Sequence, residues 1–534
     1  MRKVLALLLS VVMALSLMVT TAWADPVEQD LAGKTVILHT NDVHGEIARY
    51  AKVAALKAEL KARGADVILV DAGDYSQGTI YVSVNKGADA VTMMNAAGYD
   101  VATIGNHEFD YGYAQLAENM KAAKFKVLCA DVLGADGKTI FNANTIIEKG
   151  GVKIGFFGLE TPEAQTKANP ALIQGLTFLG AKDMYAAAQA QVDDLKARGA
   201  DAVICLAHLG VDSSSEPNTS YDLLKNVPDI DFVIDGHSHS VMLAGAAKLQ
   251  TGVDEDGKPI YIDNPYYELP IQSTGTKLAY VGVLIIDNKT KLPVGLEMLD
   301  LGQYEYEDAK VTAAAKAIMD PIDAEYSAVF AKSEVELNGD KEPGNRTQET
   351  NLGNLITDAM MWAIKTKAPG VDMTNAVAIT NGGGIRAWIH AGDISKADVT
   401  TVLPFGNTLA VVHVKGSELL EALEASTFCT PISLGGFPQT AGMKLTVDCT
   451  KDYDKADDTY PGSTYYGPKS INRVTIESIN GHPFDPDQTY AVITNNFTAA
   501  GGDTYYAFAA ASGQFDTGLP LDEIVMEYIT TVLG

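Results

Sequence analysis

The sequence is poor in cysteine, in positive charge and in long hydrophobic runs, and each shortage excludes a class of protein. Its 534 residues include only 4 cysteines, so disulfide bonds do not build the fold. Lysine and arginine number 40 against 68 acidic residues, which gives a formal net charge of −28. A surface this acidic lacks the basic patches that bind nucleic acid, so an anionic ligand needs local arginines or metal ions. With 47% hydrophobic residues, the chain is globular and long enough for two domains.

The long apolar run that does occur stands at the start of the chain. Arg2 and Lys3 precede apolar residues 4–19, and Ala22 and Ala24 are the small residues of a cleavage site. This layout is typical of a secretory signal peptide, although an uncleaved membrane anchor begins in the same way. Because the run is short for a membrane span, we expect an exported protein with no stable membrane anchor after cleavage. The sequence does not decide between periplasmic, cell-surface and extracellular locations.

The cysteines fall into two pairs. Cys129 and Cys205 lie in patterns typical of buried strands, where a thiol is a small packing residue. Cys429 and Cys449 are close in sequence and could form a disulfide in an oxidising compartment or remain free. The sequence leaves both possibilities open.

Strand and helix patterns alternate through the first half of the chain, which predicts an α/β domain. Amphipathic stretches at 47–63 and 184–198 each end at a glycine. The predicted strands are residues 35–40, 67–71, 101–104, 126–129, 153–158, 202–207 and 232–234, with a later strand within 276–287.

The pattern changes near residue 304, where an alanine-rich, charged stretch predicts a connecting helix that Pro321 limits or kinks. A second domain follows, with helices at 352–365 and 417–424 and strands at 376–380, 409–415, 473–476 and 490–494. We therefore expect a signal peptide at 1–24, a first domain at 25–303, a connecting helix or hinge at 304–332 and a second domain at 333–534.

Polar side chains suited to metal ions follow the predicted strands of the first domain. Ligands collect at the carboxyl ends of strands in α/β sheets, so these residues should meet in one crevice. They are Asp42, His44, Asp74, Asn106, His208, His237 and His239. Imidazole, carboxylate and amide groups suit Zn, Mn, Fe or Co better than Cu(I).

Seven ligands are too many for one tetrahedral site and fit two divalent metal ions bridged by a carboxylate, for which Asp74 is suited. Such a pair can clamp both oxygens of a phosphoryl displacement and supply hydroxide near neutral pH. Singly, each histidine could be a packing or capping residue, and Gly-Asp or Gly-Asn is commonly a turn. Five such motifs each follow a predicted strand, and together they favour the metal site. They are Asp42-Val-His44, Gly73-Asp74, Gly105-Asn106, Ala207-His208 and His237-Ser-His239.

The ordered motifs resemble those of the calcineurin-like metallophosphoesterases, and His39-Thr-Asn-Asp-Val-His-Gly45 and Gly105-Asn-His-Glu-Phe-Asp110 are similar to the 5′-nucleotidase family. That family includes periplasmic UDP-sugar hydrolases and ecto-5′-nucleotidases. The resemblance implies a sandwich of two mixed sheets flanked by helices, joined by a helix to a C-terminal α+β domain.

The resemblance also implies roles for single residues. Asp42, His44, Asp74 and His239 would hold one metal ion, and Asp74, Asn106, His208 and His237 the other. Some relatives have an amide at the position of His239, which bears on metal preference. His107 would face the scissile phosphate as a catalytic residue, and Asp110 would fix its tautomer and favour its cationic form. Taken alone, Asp110 could equally be a helix N-cap.

Glycine-rich and aromatic motifs of the second domain are similar to the substrate-binding domain of the same family. Arginines there would grip phosphate, glycines would let the backbone approach the ligand, and two phenylalanines would stack on a base. The candidate substrate residues are Arg346, Asn381, Gly383, Arg386, Phe405, Asn407, Phe497 and Asp503. Asp503 would accept hydrogen bonds from ribose hydroxyls, and Asn381 and Asn407 would contact sugar or base. By analogy, the second domain rotates to bring substrate to the metals.

The resemblance implies an exported dimetal phosphohydrolase that splits nucleoside 5′-monophosphates through attack of a metal-bound hydroxide. UDP-sugar or dinucleotide pyrophosphatase activity, and 2′,3′-cyclic-nucleotide phosphodiesterase with 3′-nucleotidase activity, are alternatives on the same fold. A surface protein that binds nucleotides or metals without turnover is the alternative of another class. The sequence does not give the native metal, the preferred base or the oligomeric state.

Overall fold

The computed structural model describes residues 30–253, 259–368, 370–511 and 513–534. The predicted signal peptide lies outside these residues. Within them, no helix has both the length and the hydrophobicity to cross a membrane.

The first sheet of the N-terminal domain has six strands. Four neighbouring strands run parallel up to one edge, and two late strands add antiparallel on the other side. In order across the sheet the strands are Pro293–Asp300, Tyr280–Asp287, Lys34–Thr40, Asp66–Asp71, Val101–Thr103 and Lys126–Leu128.

The second sheet is also mixed and six-stranded, with parallel neighbours in its centre and antiparallel strands at its edges. Its strands, in order, are Val241–Met242, Ile271–Thr274, Phe232–Asp235, Ala202–His208, Val152–Glu160 and Asn144–Lys149. All seven early predicted strands are confirmed, whereas Asn144–Lys149 and Pro293–Asp300 are strands that the sequence analysis missed.

Alternate residues of these strands pack between the two sheets. Ile37 and Ile68 of the first sheet belong to one buried cluster with Phe156 and Ile204 of the second. Burying each such side chain stabilises the fold by about 1.5–3 kcal/mol. The outer faces are covered by helices, which are Tyr50–Ala62, Ile80–Ser83, Ala88–Ala97, Tyr113–Met120, Ala164–Lys167, Ala181–Ala197 and Ser220–Asn226. The predicted α/β sandwich of two mixed sheets is confirmed.

The predicted connecting helix is Ala309–Tyr326, and Asp308 caps its start by accepting from the Lys310 and Val311 amides. Val311 and Ala315 are buried against helices of the N-terminal domain. The expectation that Pro321 limits the helix is wrong, because the helix continues past it to Tyr326.

The C-terminal domain is built on a five-stranded mixed sheet with helices on both faces. Its strands, in order, are Pro438–Ala441, Ala376–Asn381, Thr489–Asn495, Thr408–Lys415 and Gly513–Pro520. The helices are Asn351–Lys367, Lys396–Val402, Gly416–Ser426, Asn496–Ala499, Tyr506–Ala509 and Leu521–Tyr528. Leu352, Ile356, Met360 and Ile364 recur every four residues, which is why the first of these helices buries one face.

Smaller strand pairs complete both domains. In the C-terminal domain, Val329–Ser333 pairs with Gly392–Ser395, and Met443–Val447, Val474–Ile479 and His482–Pro483 form a three-stranded sheet. Lys455–Thr459 and Tyr466–Pro468 form a separate hairpin. In the N-terminal domain, Val132–Leu133 pairs with Thr177–Phe178, and Lys248–Val253 with Pro259–Asp263.

All four cysteines are free thiols in the structure, and Cys129 and Cys205 are buried as expected. The Cys429 Sγ contacts the Ile432 carbonyl at 3.7 Å, and the Cys449 Sγ contacts the Val447 carbonyl at 3.8 Å. The possible disulfide between Cys429 and Cys449 is therefore absent from this structure.

Candidate active site

All seven candidate metal ligands lie at or after the carboxyl ends of strands of the two sheets, and side-chain contacts join them. Asp42, His44, Asp74 and His239 form one cluster, whose ligand atoms all lie within 4.8 Å of one another. The Nε2 atoms of His44 and His239 are 2.9 Å apart, and the His44 Nε2 lies 3.8 Å from the Asp74 Oδ2.

The other three candidates are His208, Asn106 and His237. The His208 Nε2 is 3.1 Å from the Asp74 Oδ2, and the His237 Nδ1 is 2.8 Å from the Asn106 Oδ1. Asp74 thus contacts a ligand of each predicted set, His44 and His208, as a bridging carboxylate would. The Asp42 Oδ1 lies 3.9 and 4.0 Å from the same two Nε2 atoms.

The orientation of the imidazoles fits divalent cations. The Nδ1 atoms of His44 and His208 lie 3.0 and 2.7 Å from the carbonyls of Gln77 and Ala72, so both rings donate through Nδ1. Their Nε2 atoms are then unprotonated in the neutral ring and point into the cluster. The buried His208 Nε2 faces the Asp74 Oδ2 at 3.1 Å, and although burial opposes it, this carboxylate raises the pKa of His208. A divalent cation bound between the two atoms would take the place of the proton.

Burial shapes the charges of the cluster. Burial raises the pKa of Asp42 to about 7 and lowers that of His44 well below its usual value. Burial also raises the pKa of Asp74. The nearby imidazoles of His208 and His107 lower that pKa by more, so the net pKa of Asp74 is well below its usual value. A divalent cation would stabilise both carboxylates in their charged form.

The backbone around the cluster is held in an unusual conformation. Asp42, His44, Asp74, His237 and His239 all have positive φ angles, between 47° and 73°. Non-glycine residues rarely adopt this left-handed region, and it costs about 1–3 kcal/mol per residue. Such strain persists where the surroundings fix the backbone, and it clusters at functional sites.

Two glycines let the strands approach the cluster closely. A Cβ atom on Gly105 would lie 2.3 Å from the Asp74 Oδ1, and one on Gly236 would lie 2.8 Å from the His208 Nδ1. Both distances are shorter than real contacts allow, so any side chain there would displace a ligand.

Glu108, which the sequence analysis left without a role, holds the Asp74 loop. Its buried carboxylate accepts hydrogen bonds from the backbone N–H groups of Asp74, Tyr75, Ser76 and Gly105 at 2.6–2.9 Å. These bonds fix the direction in which the Asp74 side chain leaves the backbone.

His107 and Asp110 form the expected pair, with the His107 Nδ1 2.6 Å from the Asp110 Oδ2. The backbone N–H of His107 also donates to the Asp74 Oδ1 at 2.9 Å, which ties the pair to the metal cluster. The expectation that Asp110 favours the cationic form of His107 stays a prediction for the site with metal ions and phosphate bound. Burial lowers the pKa of His107 to about 3, because the attraction of Asp74 does not offset desolvation and the repulsion of Arg386.

The two domains enclose a cavity of about 830 Å³ beside this cluster. All eight candidate substrate residues of the second domain line it, opposite His107 and Asp110 of the first. The rings of His107 and Phe405 stack 5.9 Å apart at an angle of 18°, and the Arg386 Cζ lies 5.6 Å from the centre of the Phe405 ring. The cavity is therefore a shared site, with the candidate ligands on one side and candidate substrate residues on the other.

Positive charge is concentrated on the second-domain side. Within the described ranges, no carboxylate forms an ion pair with Lys341, Arg346 or Arg386. Burial and the charge of Arg386 lower the pKa of Arg346 to about 10. Burial is the larger cause, and repulsion from both arginines the smaller, of a lowered pKa of about 7 for Lys341. Three cations that, among the described residues, form no ion pair with a carboxylate make a site for an anion, in a protein whose net charge is −28.

Asn381 and Asp503 line the cavity but bind each other. The Asn381 Nδ2 donates to the Asp503 Oδ2 at 3.0 Å, and the Asn381 Oδ1 accepts from the Asn495 Nδ2 at 3.0 Å. Asn381 thus supports Asp503 and is already largely hydrogen-bonded.

Two cavity residues of the first domain escaped the sequence analysis. The Glu163 Oε2 lies 3.1 Å from the His237 Nε2, and the Lys167 Nζ donates to the Tyr465 hydroxyl at 2.8 Å. A signal for Glu163 existed, since this carboxylate follows the strand Val152–Glu160 as the other candidates follow theirs. Lys167 and Lys341 carried no such signal.

Comparison with known proteins identifies the domains. Residues 35–241 match the calcineurin-like phosphoesterase family, and residues 329–510 match the C-terminal domain of 5′-nucleotidases. A crystal structure of a 5′-nucleotidase precursor from Thermus thermophilus is 30% identical, with a TM-score of 0.72; the match covers 93% of this chain and 96% of that one.

Curated relatives agree with this match. A 5′-nucleotidase of Vibrio cholerae is 28% identical, over 95% of this chain and 92% of its own length. The trifunctional nucleotide phosphoesterase YfkN of Bacillus subtilis is 30% identical over 95% of this chain. This chain spans only 34% of the length of that relative.

Proposed function

Because this chain belongs to the 5′-nucleotidase family, whose members are metal-dependent phosphoester hydrolases, we propose that it hydrolyses nucleoside 5′-monophosphates to nucleoside and phosphate. The observation that carries the proposal is the shared cavity. It combines a cluster suited to two divalent metal ions with the three cations of the second-domain side and with Phe405 and Phe497. We further propose that the protein is exported, with residues 1–24 as its signal peptide.

Seven residues would hold the two metal ions, in the two sets joined by Asp74. When bound, the ions supply Lewis acidity to the phosphoryl group and make a water molecule acidic enough to attack near neutral pH.

The chain's own groups position the substrate. Arg346 and Arg386 would hold the phosphate through their guanidinium donors, and Phe405 and Phe497 would stack on the base. The hydrogen bond that the His107 Nδ1 donates to the Asp110 carboxylate directs the other ring nitrogen away from Asp110. We propose that this Nε2 contacts the phosphate. Because burial keeps free His107 neutral, a phosphate dianion would raise its pKa on binding and draw a proton onto the ring.

The test is phosphate release from AMP, UDP-glucose, 2′,3′-cyclic AMP and p-nitrophenyl phosphate, with Mn²⁺ or Zn²⁺ and after chelation. We expect turnover of AMP to be the fastest and to stop on chelation. Faster turnover of UDP-glucose or of the cyclic nucleotide would replace the substrate class and keep the site.

The variant His107→Ala tests the catalytic assignment. We expect kcat for AMP to fall about 100- to 1,000-fold, with metal content unchanged, because the variant loses a group that acts on the phosphate. An unchanged kcat would remove His107 from the mechanism. Absence of turnover in the metal-loaded wild-type protein would instead favour a binding protein.

A further inference from the structure

Asp503 belongs to the C-terminal domain, yet the N-terminal domain fixes its position. Its backbone N–H donates to the carbonyl of Thr166 at 2.6 Å. The Lys167 Nζ lies 3.7 Å from the Asp503 Oδ1. Asp503 is also 4% exposed and adopts a left-handed backbone conformation, with φ at 52°. These contacts exist only while the two domains lie side by side.

Lys167 is itself held in place from the second domain. It donates to the hydroxyl of Tyr465, which stands between the two strands of the hairpin Lys455–Thr459 and Tyr466–Pro468. Although burial opposes it, the nearby Tyr465, Asp503 and Glu163 raise the pKa of Lys167, so the ammonium stays charged.

The turn that carries Lys167 begins at the metal cluster. Glu163 precedes the short helix Ala164–Lys167, and its carboxylate contacts the candidate ligand His237. His237 and Lys167 hold the pKa of Glu163 at about 2 despite its burial, so this end of the turn carries a negative charge. Five residues thus lead from a candidate metal ligand to the carboxylate of Asp503.

We propose that Lys167 is a positioning residue that orients Asp503 toward the ribose hydroxyls of a bound nucleotide. This inference rests on the proposed function. A carboxylate offers about four acceptor positions. Asn381 takes one of them on Oδ2, and the Lys167 ammonium attracts Oδ1 from 3.7 Å as an ion pair without a hydrogen bond. Both oxygens are therefore able to accept from a ribose diol. Ribose recognition then depends on contact between the domains, and a phosphate ester without ribose does not use it.

The experiment compares the variant Lys167→Met with wild type on three substrates: AMP, 2′,3′-dideoxy-AMP and p-nitrophenyl phosphate. We expect kcat/KM for AMP to fall about 10- to 100-fold, the range for losing a hydrogen bond to a charged group. For the dideoxynucleotide and the aryl phosphate we expect less than about a threefold change. Lys167→Arg should restore part of the preference for AMP over the dideoxynucleotide.

Two further variants separate positioning from folding. Tyr465→Phe removes the hydroxyl that accepts from Lys167 and keeps the ring. It should lower the ratio of kcat/KM for AMP to kcat/KM for the dideoxynucleotide, as Lys167→Met does, but by a smaller factor. Lys469→Met removes an exposed ion pair to Asp457, 2.6 Å long, beside the same hairpin, and should leave all three values unchanged.

Three outcomes decide the matter. A selective loss on AMP in both Lys167→Met and Tyr465→Phe supports the proposal. Equal losses on all three substrates, or an unchanged ratio of AMP to dideoxynucleotide, overturn it. Failure of the proposed function shows itself separately, as wild-type protein that does not turn over AMP.

Discussion

The metal-ligand side of the cavity is held in place within one domain, whereas the second-domain side is held in place by contacts with both domains. Five of the seven candidate ligands have left-handed φ angles, and Glu108 fixes the Asp74 loop through four backbone N–H groups. Asp503, by contrast, is held by Asn381 from its own domain and by Lys167 from the other. The first region is therefore complete within one domain, and the second requires both.

The largest effect should come from Asp74→Asn, which removes the carboxylate that contacts a ligand of each predicted set. We expect kcat for AMP and for p-nitrophenyl phosphate to fall together by at least about 10³-fold, because metal catalysis supplies several kcal/mol. Metal content, measured by mass spectrometry, should fall as well. Asp136→Asn, an exposed site whose ion pair to Lys138 is 3.9 Å long, is the control. A larger loss on AMP than on the aryl phosphate would contradict the idea that this side acts independently of the second domain.

An intermediate effect is expected from Phe497→Ala on the second-domain side. Loss of base stacking costs about 1–3 kcal/mol, so kcat/KM for AMP should fall about 5- to 100-fold while the aryl phosphate changes little. Phe515→Ala, on a residue that is 42% exposed on the edge strand, should change neither value. If kcat/KM falls equally for AMP and for the aryl phosphate, Phe497 is a packing residue of the domain and does not stack on a base.

The smallest effect concerns pH. Because the pKa of Lys341 is lowered to about 7, its positive charge is present below pH 7 and is lost as the pH rises through that value. KM for AMP should therefore rise a few-fold between pH 7 and 9. Lys341→Arg keeps its charge over this range and should flatten the rise. If KM for AMP rises equally with pH in the wild type and in Lys341→Arg, a group other than Lys341 causes the rise.

The sequence analysis succeeded best where chemistry follows regular structure. Each candidate metal ligand is a rare side chain type just after an apolar strand, so Asp42, Asn106 and His208 could be placed at one sheet edge. The strand Asn144–Lys149 was missed because only one of its residues, Thr145, is buried, so hydrophobic periodicity is weak there.

The sequence analysis could not predict contacts between residues that are far apart along the chain. Asn381 was expected to touch the nucleoside, but it donates to Asp503, which is 122 residues away. Lys167 and Tyr465 are 298 residues apart, and no local pattern joins them. The low pKa of His107 could not be predicted for the same reason, since desolvation and the charge of Arg386 depend on how the domains close around the ring.

The placement of the strand Lys34–Thr40 at the centre of the first sheet has a consequence for how the chain folds. Its antiparallel neighbour is Tyr280–Asp287, and the Lys34 ammonium pairs with a carboxylate 253 residues further along. Closing so long a loop slows folding, because the loop loses conformational entropy before the strand pairing contributes its favourable free energy. While the chain is being synthesised, the sheet stays incomplete until residue 300, the end of its last strand, has emerged. The Lys277 amide, which donates to the carbonyl of Asp42, also arrives late. Metal capture should thus come near the end of folding.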